Sequence, residues 1–237
     1  MYVSGRVECS NSLVLEGAVI LGSTRIKKGT VVFPYVIIGF PVRAKVREFM
    51  SSPGFGGREL RDLDELSQGS KLGGYNIIRS FSVIYEEVET GDNVELGHHV
   101  MIREKTIIRE NTIVGSGTII DGRCVIGKNV SIQSGVYIPI GTEIGDNVFL
   151  GPRVVVTNDK YPVSRRLVST VIEDNAVIGA NAVLVAGVRI GEGAVIGAGS
   201  VVTHDIPPYK VAYGVPAQVV CSREEYERKK KIYERET

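Results

Sequence analysis

From Ile78 an aliphatic residue returns at every sixth position: Ile84, Leu96, Ile102, Ile108, Val114, Ile120, Ile126, Ile132, Ile138, Ile144, Leu150 and Val156, with Thr90 as the one departure. The series resumes in a new phase at Ile172, Ile178, Leu184, Ile190, Ile196 and Val202. A shorter run precedes it at Val3, Cys9, Leu15 and Leu21, then at Ile26, Val32 and Ile38 after a one-residue deletion. Two positions before each aliphatic residue stands a small or β-branched one, such as Val94, Val100, Thr106, Thr112, Thr118 and Cys124. Residues two apart on a strand share a face, so both positions look inward. The residue after the aliphatic one is often glycine, as at Gly97, Gly115 and Gly145, and is expected to let the chain turn there.

A second period sets the coil length. Asn93, Asn111, Asn129 and Asn147 are eighteen residues apart, and Asn175 continues the column past the break. Asparagine accepts the left-handed backbone conformation and forms ladders when equivalent turns stack. Eighteen residues per coil give three six-residue sides: an all-β triangular prism of three parallel sheets. About nine coils at a strand spacing of ~4.8 Å make a column about 40 Å tall. Its open ends need covering, and the charged stretch Ser222–Glu236 is predicted to be a helix over one end, or else a solvated tail. The prism is expected to span residues 1–220, with the helix or tail at 221–237.

Two segments fall out of phase, and both are expected as insertions. Residues 40–75 contain Arg43, Lys45 and Arg47, the turn cluster SSPGFGG and a helix-like stretch Arg58–Leu66. They suit a surface insertion or a cap on a cleft. Residues 157–169, with TNDKYPVSRR, leave from the corner that follows Ile102, Ile120 and Ile138, because Ile172 resumes on the next side. Loops on rigid scaffolds often carry function.

Composition narrows the class. The 28 basic and 27 acidic residues nearly cancel, which gives no electrostatic case for nucleic acid or an anionic membrane. No apolar run reaches membrane-spanning length, and the first residues do not read as a signal peptide. Three scattered cysteines, Cys9, Cys124 and Cys221, fit a reducing compartment and neither a disulfide framework nor a zinc site. A cytoplasmic protein without a metal is expected.

The segments GHHVMIRE (97–104), VSIQSGVYIP (130–139), VFLGPRVVVTNDKYP (148–162) and IPPYKVAYGVPA (206–217) carry a family resemblance. The chain resembles the hexapeptide-repeat acyltransferases, and among them the N-acetyltransferases that act on nucleotide-linked amino sugars for surface glycans. The resemblance covers about 76–217 well, and 1–39 only as generic repeat. It implies the left hand of the helix, acetyl-CoA as donor, a nucleotide-linked sugar as acceptor and a homotrimer.

It also implies roles for particular residues. An amine attacking a thioester loses a proton and forms an oxyanion, and a histidine near its natural pKa suits the first task. His98 stands two positions beyond Leu96, the register of the catalytic histidine in similar sugar acyltransferases, with His99 beside it as substrate contact or substitute base. One coil on, the backbone N–H of Ser116 takes the oxyanion role that a glycine fills in similar enzymes. Ser80 and Ser134 complete that column. Arg103 and Glu104 on the next corner suit sugar or phosphate binding, or Arg103 simply pairs with Asp121. Asn158, Asp159 and Tyr161 of the protruding loop are expected at the acceptor site of a neighbouring subunit. Gly179, Ala180, Gly197 and Ala198 offer a small-residue wall for CoA, with Lys210 near its nucleotide end. His204 reads as a surface residue.

Other readings remain. Sugar O-acetyltransferases of the galactoside or maltose kind carry a histidine in the protruding loop, where this chain has Asn158, Asp159 and Lys160. The γ-type carbonic anhydrases need three zinc-binding histidines at a spacing that His98, His99 and His204 do not supply. A non-catalytic β-helix scaffold is the third. No nucleotidyltransferase-like stretch precedes the repeat, so a bifunctional sugar-nucleotide enzyme is not expected.

Overall fold

In the computed structural model, which describes residues 1–51, 57 and 59–235, the chain winds into a solenoid whose sides stack as three sheets of ten, nine and eleven strands. Most strands are two residues long, and neighbours within the coils run parallel. The eighteen-residue register is direct: Ile84, Ile102, Ile120 and Ile138 lie side by side in the first sheet. Thr90, Ile108, Ile126 and Ile144 do so in the second, and Leu96, Val114, Ile132 and Leu150 in the third. The aliphatic series from Leu96 to Leu150 and its small partners are buried. The break is bridged in register, with Val156 opposite Leu184, Ile144 opposite Ile172 and Leu150 opposite Ile178.

Thr90 marks a polar rung in the interior. Asn76, buried at the small position before Ile78, donates from Nδ2 to Thr90 Oγ1 (2.7 Å) and accepts the Val94 N–H at Oδ1 (2.8 Å). The pair is mutually satisfied, which makes its burial tolerable. Cys124 fills another small position, and burial pushes its thiol up to about 11, so it behaves as an inert packing group.

Two expectations need correction. The deletion lies between Cys9 and Val14, not after Leu21: Val14 pairs with Val32 and Ile20 with Ile38, so Val14 and Ile20 hold the strand positions expected for Leu15 and Leu21. Adjacent apolar residues at both places left the phase open. The glycines after the aliphatic positions do not turn the chain. The left-handed residues come two places later, at His99 (φ 56°), Lys105 (φ 60°) and Asn111 (φ 59°), for example. Gly97 and Gly115 are instead required by close approach, since a Cβ on either would lie 2.5 Å from backbone of the next coil. The asparagine column occupies the left-handed position, and its amides form a ladder: Asn93 donates to Asn111 (3.3 Å), Asn111 to Asn129 (3.2 Å) and Asn129 to Asn147 (3.1 Å).

Both excursions leave from the corner between the first and second sheets. Helices α1 (Arg43–Met50) and α2 (Leu60–Leu66) lie between strand Ile37–Phe40 and strand Lys71–Leu72, which already pairs with Arg25–Ile26 in the second sheet. Most of the SSPGFGG cluster, and Arg58, lie outside the described residues. The second excursion connects Val155–Val156 to Val171–Ile172. At the carboxy-terminal end strand Lys210–Gly214 folds back on Ala217–Ser222 as an antiparallel pair. Helix α3 (Arg223–Tyr233) follows, capped by Ser222 Oγ accepting the Glu225 N–H (3.2 Å), and rests on that hairpin. Among the described residues no helix is long and apolar enough to cross a membrane.

Candidate functional site

The corner between the third and first sheets collects most of the residues of interest. His98 and His99 follow strand Glu95–Leu96, and both are exposed. His98 lends its backbone N–H to Ser116 Oγ (3.0 Å), while no described residue pairs with its imidazole. Ser116 sits one coil on, with its nitrogen above Gly97. Among the described residues nothing accepts the Ser116 N–H, so a backbone donor without a partner and an unpaired imidazole lie one coil apart on the same corner.

Four and five coils beyond His98 on this corner stand Gly179 with Ala180 and Gly197 with Ala198. A Cβ on Gly179 would meet Ala198 N at 2.4 Å, and one on Gly197 would meet Tyr213 Cβ at 2.6 Å. The wall of small side chains is therefore fixed by coil contact. Lys210 is exposed on the last parallel strand of the third sheet. At ~4.8 Å per coil, His98 and Ala180 lie on the order of 20 Å apart along one edge.

The other residues singled out lie elsewhere. Arg103 and Glu104 are on the first-to-second-sheet corner, and the guanidinium is fully engaged: Nε and Nη2 donate to Glu104 (3.2 and 3.0 Å), and Nη1 to Asp121 (2.7 Å). Burial alone would lower the Arg103 pKa, but Asp121 and Glu104 outweigh it and hold it above its ordinary value. Asn158, Asp159 and Tyr161 are in the second excursion. The Asp159 carboxylate accepts the backbone N–H and hydroxyl of Ser164 (2.9 and 2.8 Å) and the Tyr161 N–H (3.1 Å), bonds that hold it below the usual carboxylate range. It shapes the loop. Asn158 accepts the Val168 N–H through its carbonyl (2.8 Å), and Tyr161 projects outward, 77% exposed. Exposed His204 meets Thr203 Oγ1 (2.9 Å).

Two features of the histidine corner escaped the sequence reading. The His99 ring stacks on Phe81 (5.0 Å between centroids, 9° between planes), and Phe81 stacks on Tyr35 (5.4 Å, 7°). The eighteen-residue step from Phe81 to His99 was there to be read, whereas the insertion hides Tyr35. The flanking sheets also differ in their outer faces. Along the first sheet Val83, Met101, Ile119, Tyr137, Val155 and Val183 form an unbroken half-buried apolar stripe, and the third sheet exposes Ile113 and Phe149. The second sheet presents a mixed face, with Arg25, Lys71, Glu89, Glu143 and Arg189 among the apolar Ile107, Val125 and Val171. The histidine corner thus borders the apolar stripe of the first sheet on one side and, on the other, a mixed face in which Glu95 and Ser131 alternate with Ile113 and Phe149.

The model of the family "Bacterial transferase hexapeptide (six repeats)" matches residues 105–140 and 169–204. No curated protein matches the chain. Among solved structures, the UDP-N-acetylglucosamine acyltransferase of Campylobacter jejuni is similar at a TM-score of 0.63 and 16% identity, covering 94% of this chain and 77% of that one. The Bacteroides fragilis enzyme of the same name gives 0.58 and 16%, covering 96% and 77%. The Arabidopsis one gives 0.57 and 18%, covering 96% and 76%. At these identities the likeness is one of fold. The family's repeats thus lie at residues 105–140 and 169–204, within the three-sheet solenoid.

Proposed function

We propose that the chain is an acyl-CoA-dependent transferase that acetylates the amine of a nucleotide-linked amino sugar. The observation that carries this reading is the pairing of a free, exposed imidazole at His98 with the open N–H of Ser116 one coil on. As the amine attacks the thioester carbonyl, negative charge gathers on the carbonyl oxygen, where a preorganised backbone N–H stabilises it. His98 accepts the proton that the amine sheds, and collapse of the intermediate releases the thiol of CoA. His99 lies beside the acceptor.

In this reading CoA runs along Gly179, Ala180, Gly197 and Ala198, with its nucleotide end towards Lys210. An extended pantetheine arm is comparable to the distance from Ala180 to His98. A single convex edge encloses nothing, and enclosing sites are concave, so the pocket forms between subunits of a homotrimer. The apolar stripe of the first sheet, beside the histidine corner, suits that packing. Asn158, Asp159 and Tyr161 then approach the acceptor of a neighbouring subunit, and Arg103 with Glu104 borders it. The work place is the cytoplasm, where nucleotide sugars and acetyl-CoA meet.

Thiol release from acetyl-CoA, measured against nucleotide-linked amino sugars and their hydroxyl counterparts, tests this. Turnover with an amine, and a loss of about 10²–10⁴-fold in a folded His98→Ala protein, is expected. Turnover only with the hydroxyl compounds, or full activity in His98→Ala, overturns it.

A further inference from the structure

Away from the histidine corner, helix α1 and the first-to-second-sheet corner border an open groove of about 750 Å³. Its charge is lopsided: six cations line it (Arg43, Lys45, Arg47, Arg103, Lys105 and Arg123) against the carboxylates of Glu86, Glu87 and Glu104. The chain as a whole is nearly neutral, at +1.

The carboxylates are already spent. Fully buried Glu86 docks the insertion onto the prism, accepting the Val42 N–H (3.0 Å), Lys45 Nζ (2.6 Å) and the Gln68 N–H (2.8 Å). Glu104 holds Arg103, and Glu87 lies 3.7 Å from Lys105. Arg43, Arg47 and Arg123 have no acidic partner among the described residues. Arg43 and Arg47 are one helical turn apart and so share a face of α1, and Arg123 stands on the prism corner opposite. Three exposed guanidiniums without acidic partners thus line the two walls of the groove, and the guanidinium fork matches phosphate oxygens in pairs.

We infer that this groove binds the diphosphate of a nucleotide, through Arg43 and Arg47 on α1 and Arg123 on the prism. Its volume is in the range of small-molecule sites and exceeds the needs of an inorganic ion. Nucleotide sugars and CoA both carry such a diphosphate. The inference does not rest on the transferase reading, since it concerns binding alone.

Titration calorimetry of the full chain with inorganic pyrophosphate tests it, with the exposed residue Arg109→Ala, on another corner, as control. Each of Arg43→Ala, Arg47→Ala and Arg123→Ala is expected to weaken pyrophosphate binding about tenfold, as for the loss of one charge-assisted contact. Arg109→Ala is expected to change nothing. Competition by UDP or GDP then assigns the site to a nucleotide acceptor, and competition by CoA assigns it to the donor. Absence of pyrophosphate binding, equal binding in the arginine variants, or failure of all three nucleotides to compete overturns the inference. None of these results bears on the His98 test.

Discussion

The backbone N–H of His98 donates to Ser116 Oγ at 3.0 Å, one coil on, while the N–H of Ser116 itself is left without an acceptor. The hydroxyl thus tidies the histidine's backbone and the amide stays free. The two groups of residue 116 are separable by mutation. Pro152 already occupies the equivalent position two coils further, after Gly151 as Ser116 follows Gly115. Ser116→Pro should therefore fold, delete the donor and lower kcat by about 10²–10³-fold. Ser116→Gly should keep most of the activity. Steady-state kinetics on the two folded variants decides it, and equal activities would remove the amide from the mechanism.

The asparagine ladder separates backbone strain from side-chain bonding. At Asn111 (φ 59°) alanine loses both amide bonds and pays the left-handed penalty, whereas glycine loses only the bonds. Urea unfolding should show Asn111→Ala destabilised by about 2–3 kcal/mol and Asn111→Gly by about 1 kcal/mol.

Ile120 lies between Ile102 and Ile138 in the first sheet and is wholly buried. Because each coil's backbone is tied to its neighbours, the space left by Ile120→Ala has little room to close. A cost of about 2–5 kcal/mol is expected from the denaturation midpoint. The gradual unfolding expected of a solenoid makes two probes at different heights advisable.

Asp64 couples the insertion to the first coils. Its Oδ1 accepts the Gly22 N–H (2.6 Å) and its Oδ2 the Tyr2 hydroxyl (3.2 Å), with Arg6 3.4 Å from Oδ1. Burial alone would raise its pKa, but the bonds from Gly22 and Ser4 and the charge of Arg6 outweigh it and leave the group below its ordinary value. A depressed folded pKa means stability present in full above the unfolded value of about 4 and lost as pH falls through the native one. Wild type should therefore lose more stability than Asp64→Asn between pH 5 and 2. At pH 7 the variant should be the weaker by about 1–3 kcal/mol.

The sequence by itself determined the period, the coil length, the three sides and nearly every buried position. Each depends on a neighbour at a fixed offset: Ile120 needs Ile102 and Ile138, and Asn111 needs Asn93 and Asn129. Repetition writes such contacts into the chain. It also put His98 one coil below Ser116, and Ala180 below Ala198, on common corners.

What the tertiary structure decided are the contacts that no period encodes. The phase of the first coils turned on choosing Val14 over Leu15, which are equally apolar; only the strand pairing with Val32 distinguishes them. The glycines proved to be places of backbone contact between coils, because interchain-like proximity of successive turns is invisible to local conformational preference. Tyr35 joins Phe81 and His99 only after residues 41–70 are looped out, and Arg43 comes to face Arg123 only because Glu86 pins α1 against the prism. An insertion folds by its own local rules, but where it docks depends on a buried charge in a distant coil, and that relation exists only in three dimensions.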